Sequence, residues 1–133
     1  MAGPDTSWRH TPDNAVPPLD DDLAGTLDDL DGVHCGIDLI RDGIRLLGLD
    51  QHSADRTQTI LATLAGEEGK DVLTALGLLI RRLTDPAANP ALRPLPYETA
   101  KRVQQCGEEH AYETAEFAPR QAVADACALI APS

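Results

Sequence analysis

The residues best suited to chemistry in this chain lie in its last third. Cys106, His110, Glu113 and Phe117 recur at spacings of four, three and four, so a helix would place them on one face. A thiol, an imidazole and a carboxylate on one stripe can ligate a metal or pass a proton. His110 is the natural proton carrier, because an unperturbed imidazole titrates near pH 6.5, about neutrality. Glu113, three residues on, would orient or charge-balance the ring, and Tyr112 supplies a neighbouring phenol. The spacing matches no strong metal motif. HExxH is absent, and Gly107 occupies the place that the Glu-x-x-His pairs of di-iron bundles give to a carboxylate. A solvated glutamate face with one half-buried histidine accounts for the same residues. No metal and no cofactor is assigned.

His34 is the second candidate. It lies close to the apolar stripe through Leu27, Leu30 and Ile37, with Cys35 beside it and Asp38 one turn on. Turned inward, it would meet His110 across a bundle, and Asp38 would orient its ring through a second hydrogen bond. A histidine near an apolar face is also common as a hydrogen-bonded core residue. The four candidate catalytic residues are therefore His110, Glu113, Tyr112 and His34.

Other chemistries are excluded by pattern. Asp28-Asp29-Leu30-Asp31-Gly32 lacks the glycine position and distal glutamate of a calcium-binding EF-hand loop. It is not the DDxxD pattern that holds diphosphate through magnesium. No phosphate-cradling glycine loop and no GxSxG elbow occurs. The arginines are scattered, so no basic patch for nucleic acid forms. With 22 acidic and 11 basic residues the formal charge is −11, which repels nucleic acid and anionic lipid and attracts a basic partner. The imbalance is local. Residues 1–50 hold 11 aspartates against 3 arginines, a net of −8, and the remaining residues net −3. Acidic surface also serves plain solubility.

The elements that must position these groups follow from apolar period. Leu23, Leu27, Leu30, Val33, Ile37, Ile40, Ile44 and Leu47 recur three and four apart, which predicts one helix over 22–48. Asp20–Asp22 would cap its start, Arg41 and Arg45 suit its negative end, and Gly48 is a plausible C-cap. Gly25, Gly32, Gly36 and Gly43 are a heavy load, each costing about 1 kcal/mol relative to Ala. Either they admit a close neighbour or the helix breaks near Asp31–Gly32. One helix with a kink is the reading adopted.

A second helix runs from Ser53 as cap to Gly66. A third spans 68–84, where Val72, Leu73, Leu76, Leu79, Ile80 and Leu83 make a wide apolar face, predicting the most buried helix. Four prolines in 85–96 exclude a helix there and mark a connector. A fourth helix spans 97–117 and a fifth 119–130. Residues 1–18 carry four prolines and no period. They read as an extended tail on which Trp8 is suited to dock. The N-terminus has no apolar run of signal-peptide type, and no stretch is long enough to cross a membrane.

The fold expected is all-α: a compact bundle of about five helices with a Pro-rich N-terminal tail at 1–18 and a single helical domain at 19–133. Three cysteines without paired spacing predict a cytoplasmic protein rather than a disulfide framework. Nine arginines against two lysines suit a high-GC bacterial genome. The function expected is that of a small acidic interaction or regulatory protein. Its partner would be a protein with a basic surface or a second copy of itself. The alternative is a small helical enzyme or ligand-binding protein of specialised metabolism. Its small-molecule pocket would lie between the first, third and fourth predicted helices.

Overall fold

A computed structural model describes residues 15–67, 69–116 and 120–130. Six α-helices and no strand occur among them: α1 Asp21–Asp29, α2 Cys35–Leu49, α3 Ala54–Ala65, α4 Val72–Leu83, α5 Tyr97–Ala115 and α6 Gln121–Ile130. The all-helical expectation holds. Trp8 and most of the expected tail, as well as Phe117, lie outside the described residues. The chain divides into two compact units, one ending at Ser53 and one beginning at Ala54, and each is described by itself.

In the first unit the expected long helix is two helices. α1 ends at Asp29 with Leu30 as its C-cap, and Gly32 turns the chain at φ +79°, a left-handed conformation that glycine adopts without a Cβ penalty. Each helix has its own cap. Asp20 accepts from the Leu23 N–H at 3.1 Å, and the His34 Nδ1 accepts from the Gly36 N–H at 2.8 Å. The two helices run antiparallel. Leu19 and Leu23 approach the Gly48 backbone, Asp28 reaches Arg45 at 3.8 Å, and Asp31 pairs with Arg41. Leu27, 1 % exposed, is the buried anchor of α1. Gly48 is not a C-cap, since α2 continues to Leu49 and is capped by Asp50.

In the second unit α4 and α5 pack antiparallel through small residues. The face of Gly77 lies against Ala111 and the Thr114 side chain, and the face of Gly107 lies against the Thr84 side chain. The arrangement is reciprocal: each helix offers a glycine to the threonine that stands seven residues beyond the other's glycine. Both threonine hydroxyls donate back into their own helix, Thr84 to the Ile80 carbonyl at 2.9 Å and Thr114 to the Ala111 carbonyl at 3.1 Å. Their polarity is thus satisfied at a close helix crossing. α3 and α6 are tied by a second reciprocal pair. The Gln58 amide donates to the Cys127 carbonyl at 2.9 Å, and the Cys127 thiol donates to the Gln58 carbonyl at 3.5 Å. The 85–96 connector holds a single 3-10 turn at Pro90–Leu92, with Asn89 capping it.

This seam corrects the expectation that the wide apolar face of α4 is its buried face. Its buried residues are Thr74 and Gly77. Val72, Leu76, Leu79, Ile80 and Leu83 remain 37–54 % exposed. At 3.6 residues per turn the small face and the leucine stripe lie roughly 140° apart, so packing one against α5 turns the other outward. Periodicity identified an apolar face, but the closest helix approach occurs where side chains are smallest.

The most constructed feature of the unit is a buried ion pair. Arg120 and Asp71 both have wholly buried side chains. The guanidinium donates from Nε to Asp71 Oδ2 at 2.6 Å and from Nη2 to Oδ1 at 2.8 Å, a bidentate fork. It also donates to Thr74 Oγ1 at 2.9 Å and to the Glu116 carbonyl at 2.7 Å. Asp71 further accepts from the Thr74 and Glu67 backbone N–H groups. One residue pair thereby binds the α3–α4 turn, the start of α4, the end of α5 and the start of α6.

Candidate functional site

The four expected catalytic residues do not form one constellation within either unit. His34 is not mid-helix; it caps α2, exposed, with its Nδ1 occupied by the Gly36 N–H. Asp38 does not orient it. That carboxylate accepts instead from the Gly32 N–H at 3.2 Å and lies 3.4 Å from Arg41. His110 and Glu113 are exposed on α5, and no hydrogen bond joins them among the described residues. Tyr112, 71 % exposed, stands apart from that pair at the rim of a cleft.

The cleft lies between α4 and α5 and encloses about 530 Å³. Leu78, Ala111 and Ala115 are its apolar lining, and Arg81, Asp85, Gln104, Glu108 and Tyr112 are its polar lining. The α5 members are spaced four, three, one and three, so one helix face carries them all. None of these except Tyr112 was anticipated. A signal did exist, since polar and small residues at 104, 108, 111 and 115 mark a face that is neither apolar nor uniformly charged. Two further hollows adjoin the cleft. One of about 270 Å³ shares Leu78, Arg81 and Asp85 with it, and one of about 540 Å³ shares Gln104.

Among the described residues no three His, Cys, Asp or Glu side chains gather as a metal ion would require. No helix among them is long and apolar enough to cross a membrane. The three thiols are unpaired.

The acidic character of the first unit is partly consumed within it. Arg41 contacts Asp31, Asp38 and Asp42, and Arg45 contacts Asp42 and Asp28. The hydrogen bond from Arg41 holds the Asp42 carboxyl below its ordinary range, and the same bond raises the Arg41 guanidinium. Asp21, Asp22 and Asp29 have no cationic partner among the described residues, so they contribute outward field. In the second unit Asp71 is held well below the usual carboxylate range, first by the Arg120 guanidinium and then by the Thr74 and Glu67 donors, against the opposing effect of burial.

The chain matches no protein-family model, no curated protein and no solved structure.

Proposed function

We propose that this is a small acidic interaction or regulatory protein, acting in the cytoplasm, whose α4 leucine stripe receives a helical face of a basic partner protein. The observation that carries the reading is the outward stripe itself. Val72, Leu76, Leu79 and Leu83 are spaced four, three and four, the seam that an amphipathic partner helix matches with its own apolar positions. Contiguous exposed aliphatic surface on a soluble helix marks a contact site more often than scattered single residues do. The net charge of −11 supplies complementarity to a basic partner at long range, while it opposes association of two like-charged copies. The unpaired thiols suit a reducing compartment. The enzyme alternative has less to rest on, because His34, His110 and Glu113 line none of the clefts found among the described residues.

The test is site-specific photo-crosslinking in extract of the native host. A photoreactive residue at position 79 is compared with one at position 59 on α3, followed by binding of the identified, purified partner. Leu76→Glu and Leu79→Glu should each weaken that binding by roughly tenfold or more, as loss of a central apolar anchor does. Asp29→Lys should slow association and flatten its salt dependence. Asp29 is a cleaner site than Asp28, which already pairs with Arg45. Unchanged binding by both leucine variants would refute the reading.

A further inference from the structure

We infer that the α4–α5 cleft is a binding site for a small organic anion with an aromatic body, such as an aryl carboxylate or aryl phosphate monoester. This is independent of the partner surface, because the cleft opens beside the buried small-residue seam and the stripe lies on another face of α4.

The first ground is an asymmetry in which charges are already used. Acids outnumber bases two to one in the whole chain. The charged residues of the cleft itself are Arg81, Asp85 and Glu108, and the two adjoining hollows add Arg82, Arg93 and Lys101 without a further carboxylate. Each carboxylate accepts one hydrogen bond from a neutral donor and keeps its charge: Asp85 Oδ1 accepts from the Ala87 N–H at 2.9 Å, and Glu108 accepts from the Gln104 amide at 3.4 Å. Arg93 is engaged, donating to the Pro86 and Ala87 carbonyls. Arg81, Arg82 and Lys101 have no carboxylate within ion-pair distance among the described residues. The helix dipole alone accounts for Arg81 and Arg82 at the end of α4. It does not account for Lys101, which lies toward the positive end of α5.

The second ground is shape. A volume of about 530 Å³ falls within the usual range for small-molecule sites, about 300–1,000 Å³. Leu78, Ala111 and Ala115 supply apolar lining against which an aromatic body can rest. The exposed Tyr112 ring at its rim offers a stacking partner. Arg81 provides a planar donor fork suited to a carboxylate or phosphate, and Lys101 is a second positive charge in the adjoining hollow that shares Gln104 with the cleft.

The proposal is tested by titrating the full, isotope-labelled chain with phenyl phosphate and benzoate while following backbone amide resonances. Inorganic phosphate and benzyl alcohol serve as the bare anion and the neutral ring. Saturable shifts are expected at Leu78, Asp85, Gln104 and Tyr112 with the two aryl anions. Arg81→Gln, an exposed substitution, should weaken both by roughly tenfold or more and leave the remaining spectrum unchanged. Tyr112→Ala should weaken the aryl anions and not inorganic phosphate. Lys101→Gln, on another helix, is the independent check of the charge requirement. Absence of saturable shifts at these amides, benzyl alcohol binding as tightly as phenyl phosphate, or full binding by both charge variants would each overturn the inference. None of these outcomes bears on the leucine-stripe variants.

Discussion

The Arg120–Asp71 pair gives the sharpest prediction, because its geometry sets both a magnitude and a pH window. Arg120→Met removes the guanidinium and keeps most of the stem volume. Asp71 then loses both bonds from the fork but retains the Glu67 and Thr74 backbone donors and the Thr74 hydroxyl. Breaking a buried pair by removing one partner costs about 3–5 kcal/mol, and three surviving donors place this variant near 3. Asp71→Asn should cost more, toward 5, because it strands a buried cation and weakens the α4 cap as well. Either loss is a large share of the ordinary stability of such a chain, about 5–15 kcal/mol. Arg120→Lys, which keeps the charge without the fork, should fall between wild type and Arg120→Met.

The pH sign follows from the depressed Asp71 carboxyl. Its stabilising contribution is complete above the unfolded-state pKa of about 3.9 and is lost as pH falls through the lower folded-state value. Urea melts followed by helical circular dichroism should therefore show a constant gap between wild type and Arg120→Met from pH 7 to pH 5. The gap should narrow below about pH 4, where the wild type loses what the variant never had. A gap under about 1 kcal/mol at neutral pH would refute the view that this pair holds the unit together. An undiminished gap at pH 3 would refute the assignment of the acid response to Asp71.

Gly77→Ala should destabilise although alanine is the better helix former by about 1 kcal/mol, because the new Cβ meets the Thr114 side chain. Thr114→Ala should rescue it, and failure of the double variant to recover in denaturant melts would deny the close crossing. Leu27→Ala should cost about 2–5 kcal/mol, the usual loss for a buried leucine. Leu76→Ala, at a half-exposed site, should cost clearly less in the same melts, and a reversed order would contradict the observed burial. His110→Ala should leave stability within about 0.5 kcal/mol, as exposed substitutions usually do. A larger loss by denaturation would show that the ring packs into the fold.

Helix existence was legible from periodicity, whereas facing was not, and the break near Asp31–Gly32 was named from the glycine load as the alternative that was not adopted. The stripe from Leu23 to Leu47 keeps its three-and-four spacing across a turn, so period alone could not separate α1 from α2. Gly32 was the residue that did, because only its backbone conformation reverses the chain there. His34 looked mid-helix for the same reason and is instead a cap that the break created. On α4 the amphipathic face was found and its direction was missed. Hydrophobic scales favour the leucine side, while packing against α5 chose the side where Gly77 and Thr84 allow close approach. The Arg120–Asp71 pair spans 49 residues and leaves no local pattern. Half of it was visible as an aspartate three residues before Thr74, an N-cap spacing at the start of an apolar run.

The way the second unit is held bears directly on what its surface can do. Where leucines face a core they supply most of the binding energy of a helix, and the price is that they are no longer available to a partner. Here α4 is fixed by a different set of interactions: a glycine–threonine seam along one face and a buried ion pair at its first turn. The ion pair is directional and the seam sets a close approach, so together they define where the helix stands without using the leucine stripe. The stripe from Val72 to Leu83 is thus carried on an element anchored through its other face, and a partner would meet it with little ordering of α4 left to perform. Beside the same seam, Leu78, Ala111 and Ala115 line the cleft together with polar groups of both helices. Gly77→Ala therefore links the two surfaces: a shift of α4 on α5 would disturb the cleft through Arg81 and the stripe through Leu76 together. Substitutions confined to either face would leave the other intact.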